Sequence, residues 1–162
     1  MDTITGVFTK RNFNPMSLAI RMATPISITT MAPASHVVVL DGDTGFAMEA
    51  NMLHGVRRVT VEEALKGAQI VTTKHFQVQN AVEGLGWMRK TAQEGAKYDF
   101  LGALGLGLAP GRSWQDPSSW FCFEYFCMGL AVAGRPTFTI HAHVNAHMLM
   151  SLPSEYPVLT GS

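Results

Sequence analysis

The stretch "SHVVVLDGDTGFAMEA", residues 35 to 50, constrains this chain more than any other. A β-branched run, a Gly- and Asp-rich turn and a second apolar run predict an antiparallel hairpin. The hairpin carries two side chains able to move or hold protons, His36 and Glu49. A turn centred between Gly42 and Asp43 sets them directly opposite one another and on one face, where Cβ atoms lie about 4.5–5.5 Å apart. A carboxylate so placed orients an imidazole.

A nucleophile has to come from elsewhere. The two cysteines lie in "SSWFCFEYFCMGLAVAG", residues 118 to 134. Five positions apart on one helix they point about 140° away from each other, which argues against a mutual disulfide. With Ser118 or Ser119 capping a helix after Pro117, Cys122 falls in the first turn, where unpaired N–H groups and the helix dipole favour a thiolate. Cys127 falls deeper, in the hydrogen-bonded interior. The residues alone leave a second reading open, because free cysteine in an aromatic setting is ordinary core filling.

Other segments supply a framework. "TGVFTK", "GVRRVTV" and "AQIVTTKHF" have strand character, "EEALKG" is a helical turn closed by Gly67, and "NAVEGLGWMRKTAQEG" is a helix ending at Gly95. "NPMSLAIRMATP" is a brief helix, "GRPTFTIHAHV" a strand, and "NAHMLMSLPSE" a short helix. Residues 100 to 117 form a glycine-rich connection that lacks the Lys-Ser or Lys-Thr ending of a phosphate loop. Strands and helices without regular βαβ alternation predict an α+β fold. The length, 162 residues, suits one domain spanning 1–162.

Composition narrows the function classes. Twelve basic residues balance twelve acidic ones, so the chain lacks the electrostatic footprint of a nucleic-acid binder. No run approaches the roughly 18 apolar residues of a membrane span, and the N-terminus lacks a signal-peptide pattern. The expectation is a soluble protein, cytoplasmic or delivered by a phage particle or dedicated secretion system. His141, His143 and His147 are dense enough to raise a metal site, but their spacing is poor and no Cys or carboxylate lies nearby, so they are expected on a wall or surface. His54 and His75 have no partner visible in the sequence. The methionines of the N-terminal half, Met48 and Met52 among them, read as plastic core.

Taken in order, Ser35-His36, Glu49-Ala50, Gly55-Val56, Tyr98-Asp99 and Cys122 with Glu124 resemble the circularly permuted branch of the NlpC-type, papain-like cysteine peptidases and amidases. These are the YiiX-like proteins, related to the lecithin–retinol acyltransferase group. "LAIRMAT" is similar to the segment preceding their Ser-His strand. The resemblance implies a small papain-like α+β domain, with an antiparallel sheet or partial barrel against helices and the cysteine at a helix N-terminus. It also implies a Cys122–His36–Glu49 triad working through an acyl-enzyme, without a cofactor, on a peptide, a peptidoglycan fragment or an acyl-lipid. Tyr98 is implied as an oxyanion donor, and Phe123 and Trp120 are pocket candidates. Phe123 stands where relatives carry Ser, and Val38 where many carry Gly, departures that bear on substrate shape. Hydrolase, acyltransferase or thioesterase, and a noncatalytic binding module with an aromatic wall of Trp120, Phe121, Tyr125 and Phe126 remain the three alternatives.

Overall fold

The hairpin forms as β2 (His36–Leu40) and β3 (Phe46–Asn51) in a computed structural model that describes residues 1–11, 33–99, 119–135, 137–138 and 144–155. The brief helix expected from "NPMSLAIRMATP", the glycine-rich connection, Ser118, His141 and His143 lie outside the described residues. The pairing joins Val39 to Met48 and Leu40 to Ala47. This corrects the expected register, because the turn is centred one residue later, between Asp43 and Thr44. Gly42 and Gly45 take left-handed φ values of 56° and 76°, and the Thr44 amide donates to Asp41 O, so the chain uses both glycines to turn.

β1 (Asp2–Lys10) pairs with β2 on one side and β5 (Gln69–Val78) on the other, while β4 (Gly55–Thr60) pairs with β3. The result is a five-stranded antiparallel sheet ordered β4-β3-β2-β1-β5 within an α+β fold. Both faces are covered along β2 and β3. Val37, Val39 and Met48 join the main core, whereas Val7, Val38 and Ala47 pack with Ala64 of α1 (Val61–Leu65). Val38 is therefore a packing residue for α1.

Polar side chains cap the first two helices. Thr60 accepts the Glu63 amide at 3.2 Å to begin α1, and Asn80 accepts the Glu83 amide at 3.1 Å to begin α2 (Ala81–Gln93). β6 (Lys97–Tyr98) runs parallel to β7 (Ser119–Trp120), followed by α3 (Cys122–Val132). The expected serine cap is corrected here. Ser119 is drawn into the strand pair opposite Lys97, and Phe121 occupies the N-cap position without a side-chain cap hydrogen bond.

α3 supplies the centre of the core. Phe126 meets Phe8 and Phe76 edge-on, with ring centroids 6.2 and 5.4 Å apart. Gly6 permits this approach, because a Cβ there would stand 2.8 Å from the Phe126 ring. Gly84 of α2 likewise lies against Gly129 O and Ala133, each 2.7 Å from where a Cβ would be. Thr137 and Phe138, described residues of the expected "GRPTFTIHAHV" strand, are in no strand. α4 (Ala146–Ser151) is capped by Asn145. The segment after it is tied to β5: Lys74 Nζ donates to the carbonyls of Met150 and Leu152, and buried Arg135 donates to those of Gln77, Pro153, Ser154 and Glu155.

Candidate active site

His36 opens β2, and the N-terminus of α3 comes down beside the same strand end, where Cys122 Sγ lies 3.9 Å from Ser35 O. Continued past Val39–Met48, the observed register sets Val38 opposite Glu49 and His36 two residues along on the same face. Long side chains span that diagonal. His36 Nε2 lies 2.5 Å from Glu49 Oε2, and Cys122 is close enough to the imidazole to favour its charged form. With Nε2 committed to Glu49, Nδ1 is the ring atom left for the thiol. The structure thus brings together Cys122, His36 and Glu49, separated in sequence by up to 86 positions.

Glu49 divides its two oxygens between partners. Oε2 faces His36, while Oε1 accepts from Arg57 Nε and Nη2 at 2.9 and 2.7 Å and from Asn51 Nδ2 at 3.3 Å. Arg57 also donates to Glu63 of α1 at 2.9 Å, which ties the helix to the site. Neither Arg57 nor Asn51 was picked out by reading the sequence. The signal was present, since a turn about Leu53 sets Arg57 directly opposite Glu49, as observed.

The charges support one another. Burial opposes a charged imidazole, but hydrogen bonds to Cys122 and Glu49 and the attraction of both outweigh it, raising His36 from 6.5 to about 10. Burial also opposes a charged Glu49; His36 and Arg57 prevail and lower it from 4.5 to about 2. Tyr98 is pushed up by burial and by the neighbouring charges of Cys122 and Asp99, so its phenol stays neutral and able to donate.

The remaining predicted site residues separate. Trp120 is half-buried and meets Trp87 edge-on at 5.3 Å. Phe123 is fully buried against Phe121, so it is core and not pocket wall. The expected aromatic binding wall is corrected in the same way: Phe121, Tyr125 and Phe126 are buried, and the Tyr125 hydroxyl donates to Met88 O at 2.7 Å. Cys127 is free and buried, with Sγ 2.7 Å from Thr137 Oγ1, and burial raises its thiol to about 11.

His75 finds a partner that its sequence context did not reveal, Thr5 Oγ1 at 2.9 Å across the sheet. His147 is exposed on α4. Among the described residues no three His, Cys, Asp or Glu side chains are placed to hold a metal ion, and no helix is long and apolar enough to cross a membrane. No family model, curated protein or solved structure matches the chain.

Proposed function

We propose that this chain is a cysteine-dependent acyl-transfer enzyme of permuted papain-like type, cleaving an amide or peptide bond. The observation that carries the reading is His36, 2.5 Å from the Glu49 carboxylate and close enough to Cys122 for that residue to favour the charged imidazole. A nucleophile, a base and a group orienting the base are the parts that covalent acyl transfer needs. The order His36, Glu49, Cys122 along the chain supports the permuted arrangement.

In this reading His36 holds the thiol proton as an imidazolium, and Cys122 Sγ attacks the substrate carbonyl carbon. The carbonyl oxygen gathers negative charge and is met by N–H groups at the start of α3 and by the neutral Tyr98 hydroxyl. The bond to the leaving group then breaks, and that group departs with the proton from His36. A thioester remains on Cys122. His36 next takes a proton from water, whose oxygen attacks the thioester and frees the acid and the thiol; an amine or alcohol in place of water gives a transferase. Glu49 keeps the imidazole turned and offsets its charge.

The test is trapping of the acyl-enzyme. Brief treatment with p-nitrophenyl acetate and an acid quench is expected to add one acetyl group at Cys122, and none in Cys122→Ala. Acetyl transfer to Cys127 alone, or none in the wild-type protein, overturns the reading.

A further inference from the structure

A cleft of about 330 Å³ is lined by Met52, Leu53, His54, Gly55 and, across from them, Gly95 to Tyr98. Its walls continue the elements that carry the site. One wall follows directly from β3, whose last residue, Asn51, bonds Glu49. The other ends on Tyr98, which feels the charge of Cys122 and pairs with Trp120, two residues before the cysteine. The walls are clamped together, because the Val56 amide donates to Ala96 O at 2.7 Å. A Cβ on Gly55 would lie 2.5 Å from that same oxygen, and Gly55 has a φ of 72°. The clamp requires glycine.

The lining has a distinct chemistry. Lys97 is exposed, and among the described residues it makes no ion pair; His54 adds an imidazole, and no carboxylate lines the cleft. Met52 and the largely exposed Leu53 give it an apolar lip. The volume lies at the lower end of that of small-molecule sites. We infer that this cleft is a substrate subsite that takes a carboxylate-bearing group beside the scissile bond, with Lys97 as its specificity-determining cation.

This inference rests on Cys122 being the nucleophile, and the experiment separates the two. The full chain is treated with the α-amide of N-iodoacetyl aspartate or the α-amide of N-iodoacetyl asparagine, of which only the first carries a carboxylate, and alkylation of Cys122 is followed by mass spectrometry. The aspartate compound is expected to react roughly two- to fivefold faster, the range of an exposed charge pair. The preference should vanish in Lys97→Ala, reverse in Lys97→Glu, and persist in Lys66→Glu, a charge change away from the cleft. Equal rates in the wild-type protein, or a preference untouched by Lys97→Glu, overturn the subsite while leaving the nucleophile in place. Failure of both compounds to label Cys122 overturns the catalytic reading and the subsite with it.

Discussion

Glu49 lies diagonally across the β2–β3 hairpin from His36, and that offset brings Oε2 to 2.5 Å from Nε2 while leaving Oε1 to Arg57. The carboxylate therefore cannot rotate without breaking bonds at both ends. A base held in this way keeps its ring fixed against the carboxylate.

Glu49→Gln keeps the side-chain size and removes the charge. The imidazolium then loses its carboxylate, and Arg57 is left facing an amide. The second-order rate of Cys122 alkylation at neutral pH is expected to fall by about 10²-fold, the scale of acid–base assistance. Circular dichroism on the same sample separates this from unfolding.

Arg57 acts through Glu49. Its fork contacts Oε1 twice, so Arg57→Gln should raise the Glu49 titration and move the acid limb of the alkylation profile to higher pH. Arg57→Lys restores the charge without the fork and should recover part of the shift. An unchanged profile in Arg57→Gln limits Arg57 to joining β4 and α1.

The pair also makes stability depend on pH, with opposite signs for its members. His36 is raised, so its contribution is complete below about 6.5 and is lost as pH rises toward about 10. Glu49 is lowered, so its contribution is present above about 4.5 and is lost as pH falls toward about 2. Urea midpoints measured across this range should be highest between the two windows. His36→Ala should flatten the alkaline limb, and Glu49→Gln the acid one.

Packing around α3 gives a prediction independent of catalysis. Gly84→Ala places a methyl group where Gly129 O and Ala133 already stand, and is expected to destabilise by about 1–3 kcal/mol. Thermal melts of this variant and of Gly86→Ala, where a Cβ meets nothing within 4 Å, should differ in that direction.

Much of this arrangement was legible in local pattern. The hairpin, the helix ending at Gly95 and the placement of Cys122 at the start of α3 with Cys127 inside it follow from periodicity and turn chemistry. The hairpin register was misplaced because "DGDTG" allows more than one centre. The error of one residue in the centre moves a partner by two positions, which preserves the face, and so His36 and Glu49 still meet. Ser119 misled because its pairing with Lys97 is non-local and competes with capping. Phe123 and Tyr125 read as pocket wall for want of any local sign that α3 is buried nearly all round. The carbonyl cradle of Arg135 joins β5 to residues after α4, a closure that no local window contains.

The central claim is that position and partners activate Cys122 and leave Cys127 inert. Limiting iodoacetamide at about pH 6, where an unassisted thiol is almost wholly protonated, followed by peptide mass spectrometry, tests it most directly. The expected result is alkylation at Cys122, abolished by His36→Ala in a protein that remains folded, with Cys127 unmodified until the chain is denatured. Preferential labelling of Cys127, or equal inertness of both thiols, would contradict it.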